Sequence, residues 1–217
     1  MHKNKDHESQ TRSVLATLRG LMPRRAIGLS EALRLAELQA NRLLQLCQVD
    51  TAPVPSEIIS ELPLVRVVRE WQLPVSGTSH WNGSTWIVTL NANEPWTRRR
   101  FTLMHEFKHI IDHGRPGLLY HGDRRSAAAQ AERVADYFAG CVLMPKRLLK
   151  RAWSAGLQTP AKLAHAFHVS VQAAEVRLRQ VGLVERRQRC QTESRTTDAP
   201  TSWPQQPSTA CPMESMP

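Results

Sequence analysis

The residues best suited to chemistry lie in one pentapeptide, His105-Glu106-Phe107-Lys108-His109. Two histidines four apart on a helix differ by about 40° around the axis and about 6 Å along it, so both imidazoles can reach one ion. Glu106 then points to one side of the pair, where its carboxylate can touch a water held by that ion. A catalytic zinc needs a third protein ligand and an open fourth position. Glu132, 23 residues after His109, is the candidate ligand. Asp136 follows four residues later on the same helical face and can accept the free ring N–H of a ligand histidine, fixing its tautomer. The chemistry implied is metal-assisted hydrolysis, with Glu106 as general base. Two helices with surface histidines and ordinary salt bridges are the plain alternative. It leaves the acid beside the pair and the acid behind it without a reason.

These side chains need two helices to hold them. The first opens near Asn93 or Glu94, with Pro95 at the first helical position, and runs to His113 before Gly114 stops it. A Gly/Pro/His loop spans 114–124. The second helix covers about Ser126 to Leu143 and ends at Pro145. Three strand-like pieces precede them, Leu64 to Arg69, Val75 to Trp81 and Ser84 to Leu90. Asn82-Gly83 joins the last two as a hairpin. Ser84 to Leu90 is expected at the sheet edge, lining the cleft. An amphipathic helix from about Ser30 to Cys47 comes earlier, with Ser30 as its N-cap, and a short helix near Ser56 to Glu61 follows it.

At the ends, residues 1–26 read as a basic, partly disordered lead-in, in which Val14, Leu15, Leu18 and Leu21 can form one short helix. Residues 27–145 hold the hydrolytic constellation. Residues 146–184 read as two or three short basic helices, with a helix-turn-helix outline over Thr159 to Leu183. The tail, 185–217, has five prolines and almost no aliphatic residues, which predicts disorder.

The 217 residues suffice for one ordinary domain with appendages. No run of eighteen apolar residues occurs, so no transmembrane helix and no membrane partner is expected. Met1 to Gln10 is polar and has no apolar stretch of signal-peptide length, which points to the cytoplasm. Cys47, Cys141, Cys190 and Cys211 form no Cys-x-x-Cys clamp, and Cys47 and Cys141 read as buried free thiols. The net charge of +10 is concentrated in residues 1–26 (+4) and 146–184 (+6). Such blocks suit an acidic protein partner, nucleic acid, or simply water.

Arg100-Phe101-Thr102-Leu103-Met104-His105-Glu106, Ala131-Glu132-Arg133-Val134-Ala135-Asp136-Tyr137-Phe138-Ala139 and Val142-Leu143-Met144-Pro145 together resemble the ImmA/IrrE metallopeptidase family. Leu163-Ala164, Phe167-His168-Val169-Ser170 and Arg177-Leu178 fit its C-terminal helices, so the resemblance covers about residues 29–184. Thermolysin-like peptidases share the layout of H-E-x-x-H on one helix and E-x-x-x-D on the next. The resemblance implies an α+β, zincin-like fold: a small antiparallel or mixed sheet, an active-site helix, then a mainly helical part. It implies Zn2+ held by His105, His109 and Glu132, with Glu106 as base. It also implies a protein substrate, a helix-turn-helix transcriptional repressor of a mobile element or stress response. Many members have a small residue where this chain has Lys108, which should face away from the metal. Many have Asn where this chain has Asp136.

Peptide hydrolysis also requires a donor for the developing oxyanion. Tyr120, His121 and His80 lie on segments that can border a cleft, and Tyr120 is the candidate catalytic donor. His113 is a helix-end residue and Tyr137 a core one. The runner-up function is a regulator that binds DNA or repressor through the 146–184 block, with a structural metal site and no proteolysis.

Overall fold

The computed structural model describes residues 14–184. The expectations for residues 1–13 and for the tail, 185–217, lie outside the described residues.

Helix α1 (residues 14–20) is followed by α2 (Leu29–Leu46), α3 (Glu57–Ser60), β1 (Val65–Glu70), β2 (Gly77–Trp81) and β3 (Trp86–Asn91). Then come α4 (Trp96–Asp112), α5 (Pro116–Leu119), α6 (Arg124–Leu143), α7 (Lys146–Ser154), α8 (Pro160–Phe167) and α9 (Val171–Val181). The expected α+β, zincin-like order of small sheet, active-site helix and helical remainder is the order observed. No helix among the described residues is long and apolar enough to cross a membrane.

The helices form where apolar spacing gives each a face to bury. α2 presents Ala36, Ala40 and Leu43 to α6, which answers with Val134, Phe138, Ala139 and Val142. α4 buries Met104, Phe107 and Ile111, and the rings of Phe107 and Phe138 lie 6.5 Å apart. Burying one such side chain is worth about 1.5–3 kcal/mol, so this three-helix seam supplies much of the rigidity behind the site. α2 starts at Leu29 with Gly28 as N-cap, so Ser30 sits inside the first turn and caps nothing. Pro95, with extended ψ, is the N-cap of α4 rather than its first residue. α6 has a capping bond, Asp123 accepting from the Ser126 N–H.

The lead-in contributes directly to α4. Val14, Leu15 and Leu18 are buried in the core, and Arg19 donates to the carbonyls of Ile110 (2.7 Å) and Ile111 (3.2 Å). Those carbonyls belong to the last turn of α4, where carbonyls are left short of intrahelical donors and a cation is favoured.

The sheet corrects one expectation. Its order is β1-β3-β2, with β1 parallel to β3 and β2 antiparallel to it. The strand expected at the edge is therefore central, and β2 holds the free edge on the α4 side. A hairpin signal names two partners but is silent about a third strand arriving by a long connection. β3 does alternate as its pattern requires, with Trp86, Val88 and Leu90 buried. Gly77 matters to the site: a Cβ there would collide with the Thr102 side chain. Its absence lets β2 lie against α4.

Candidate metal centre

α4 places His105 and His109 one turn apart on its outer face, and α6 crosses with Glu132 and Asp136, also one turn apart. His105 Nε2 is 3.0 Å from His109 Nε2 and 3.2 Å from Glu132 Oε2, and His109 Nε2 is 3.4 Å from Glu132 Oε1. Ligands at about 2.0–2.1 Å from a tetrahedral zinc stand roughly 3.3–3.4 Å apart, and the two ring nitrogens and the two oxygens of the Glu132 carboxylate stand at comparable separations. Among the described residues this is the group of three whose ligand atoms could hold a metal ion. The Glu132 side chain is 63% exposed, which leaves a fourth direction open to solvent.

The donor chemistry fits a cation. His105 Nδ1 lies 2.9 Å from Asp136 Oδ1, so the ring N–H is given to the carboxylate and the neutral imidazole turns its Nε2 lone pair inward. The Nε2 atoms of both imidazoles and the Glu132 carboxylate converge on one point. Burial works against the charged form of His105. The hydrogen bond and charge of Asp136, helped by Glu132 and Glu106, outweigh it and hold the imidazole above its ordinary pKa. For His109, burial and the neighbouring His105 win over the same acids, and its pKa is held down.

Glu106 is buried beside the pair, and its Oε2 accepts a 2.7 Å hydrogen bond from the Ser79 hydroxyl on β2. Ser79 is a residue that sequence reasoning missed. Gly77 and Ser79 lie on one face of β2 by strand alternation, and two small residues on a face are the signature of close backbone approach.

A family model of the IrrE N-terminal-like domain, a metallopeptidase family, matches residues 67–179, which include all of these side chains. The chain belongs to this family. Zinc is the metal of IrrE-like peptidases, and the His-His-Glu set here is of the kind that binds it. A solved structure, a Mycobacterium tuberculosis transcriptional regulator, matches over 66% of this chain at 18% sequence identity and a TM-score of 0.50. This chain spans 46% of that one, and at such identity the likeness concerns the fold alone. No curated protein matches the chain.

The remaining sequence candidates are dispersed. The Tyr120 hydroxyl is buried and donates to Asp112 Oδ2 at 2.5 Å, so its proton is held by that carboxylate. Burial, then the Asp112 charge, push the phenol's pKa up. His121 bonds Gln130 through its backbone, and His80 is exposed on β2. His113 caps α4 and meets the Trp86 ring edge-on at 4.8 Å. The Tyr137 hydroxyl donates to Glu37, and the Arg177 guanidinium lies over the Tyr137 ring.

Lys108, about 60° round α4 from His105, is buried rather than solvated. Its ammonium donates to Asp112 Oδ1 (2.5 Å) and Gln39 Oε1 (2.9 Å). The helix-turn-helix outline is present as α8, a turn through His168 with φ 54°, and α9. α9 exposes Gln172, Glu175 and Arg179, where Glu175 opposes phosphate contact.

Proposed function

We propose that this protein is a zinc-dependent endopeptidase that cuts a peptide bond in a protein partner, and that the partner is a helix-turn-helix transcriptional repressor. The observation that carries the enzymatic reading is the convergence of His105, His109 and Glu132 with a buried acid, Glu106, held alongside. The repressor rests on the family resemblance.

His105, His109 and Glu132 would hold the ion, and Asp136 keeps the His105 lone pair turned inward. Bound there, zinc would supply Lewis-acid polarisation of the scissile carbonyl and would make a water more acidic. Glu106 takes the proton of the attacking water and passes it to the leaving amine, a contribution of roughly 10²–10⁴. Ser79 holds one Glu106 oxygen, which aims the other at the water. The free edge of β2 offers main-chain hydrogen bonds to an extended peptide laid across the site. Such binding tolerates many sequences, so selectivity comes from docking the whole partner, and the basic 146–184 block suits an acidic face.

The test is co-expression with neighbouring repressor genes, with and without inducing stress. Wild type should yield a discrete cleavage product, and Glu106→Gln should yield none while keeping its metal. If both leave every repressor intact, the protein acts as a binding antagonist and the catalytic reading fails. A purely structural metal site has no use for an acid at position 106.

A further inference from the structure

A second concavity lies away from the metal centre, at the base of α4. It encloses about 660 Å³, within the roughly 300–1,000 Å³ of small-molecule sites. Val67, Leu90 and Leu103 supply apolar wall, and Arg69, Arg99 and Arg100 supply positive charge against a single carboxylate, Glu57.

The arginines are not neutralised. Arg100 is buried, and its guanidinium donates to the Ser56 hydroxyl and to the carbonyls of Val54, Phe167 and His168. Those partners fill its donors but leave its charge uncancelled. Arg99 donates to the carbonyls of Ala92 and Glu94, and its buried Nε has no partner. Among the described residues none of the three arginines is in an ion pair. Arg100 is buried and Arg99 half-buried, and positive charge partly withdrawn from water attracts an anion more strongly than the same charge in water, with exposed Arg69 adding to the field. Trp96, 49% exposed, stands at the cavity with Arg100 over its ring (5.0 Å) and His168 at its edge (5.1 Å). An open indole face beside cations suits a planar group.

A scaffold role accounts for Arg100, which ties the 53–56 loop and the α8–α9 turn to α4. It does not account for Arg69, nor for the unpartnered Nε of Arg99, around the same open space. We propose that this cavity binds a small organic anion, a carboxylate or phosphate ester carrying an aromatic or apolar group. The site is independent of the metal centre, although an occupant would touch the helix that carries His105 and Glu106. Arg99 and Arg100 precede His105 by about 7–9 Å along that helix.

Calorimetric titration of the full chain with phenyl phosphate, benzoate and neutral phenol tests this. At least one anion should bind saturably and phenol should not, and which anion binds tells ester from carboxylate. Arg69→Gln and Arg99→Gln should each weaken binding about tenfold or more. Arg69 is exposed on β1, so its variant should fold as wild type does even if the Arg99 variant does not. Trp96→Ala should erase the preference of phenyl phosphate over inorganic phosphate. No saturable anion binding, equal binding of phenol, or undiminished binding in Arg69→Gln would overturn the proposal. The last outcome would place the anion elsewhere, for instance at the metal centre.

Discussion

On one flank of α4, Lys108 and Asp112 are buried in the core, and on the adjoining flank, about 90° round the helix, stand His105, Glu106 and His109. Inside, donors meet acceptors: Lys108 donates to Asp112 and Gln39, Tyr120 donates to Asp112, and Gln39 donates to the Leu18 carbonyl. Charge cancels charge. Burial still depresses the Lys108 pKa, with Asp112 opposing it. On the other flank, with Asp136 holding the His105 N–H, two imidazole nitrogens and a carboxylate converge without a cationic side chain among them. Polar groups that satisfy one another hold a fold together, whereas polar groups that converge with the same sense call for a cation. One helix does both, and the difference separates its structural residues from its chemical ones.

The sharpest way to break this comparison is Asp112→Ala. It strands a buried ammonium and a buried phenol, and should cost the metal-free fold about 3–5 kcal/mol by denaturant unfolding. The paired change Lys108→Met with Asp112→Leu should recover the part of that loss due to the stranded ammonium, leaving the cost of the unpartnered Tyr120 hydroxyl and Gln39 amide oxygen. His105→Ala should behave in the opposite way. The metal-free fold should lose less than about 1 kcal/mol. What disappears is the stabilisation by zinc, about 4 kcal/mol at a thousandfold excess over Kd, read as a metal-dependent rise in Tm. Equal loss of stability in both variants would erase the distinction between the faces.

Smaller effects refine it. Asp136→Ala removes the group that orients His105 and should weaken zinc about 10–100-fold, measured by chelator competition. Ser79→Ala removes one hydrogen bond to Glu106, worth about 1 kcal/mol. It should lower kcat several-fold while leaving zinc affinity unchanged. A drop in zinc affinity instead would mean that Ser79 shapes the ligand set and not the base.

The legible part of this site is local. His105, Glu106 and His109 share one helix, so spacing fixes their geometry, and the step from Glu132 to Asp136 repeats it on the next helix. The succession of helices and strands followed from apolar periodicity and turn residues in the same local way, while the α+β, zincin-like class was what the family resemblance implied. What stayed hidden depends on long-range packing. Nothing near Ser84 says that β1 will join β3 from the far side, which moved the free edge to β2. Lys108 counts as a solvent residue in any hydrophobic pattern. Its burial follows from Gln39, 69 residues away, and from Asp112 and Tyr120 closing around it. Tyr120 borders the loop as expected, but Asp112, a residue of α4, claims its hydroxyl.

The central claim is that the outer face of α4 holds zinc. Elemental analysis of the protein purified without chelator tests it most directly. Wild type and Glu106→Gln should each carry one zinc per chain, and His105→Ala should carry only a trace. A metal-free wild type that stays empty after exposure to zinc, or an undiminished zinc content in His105→Ala, would contradict the account.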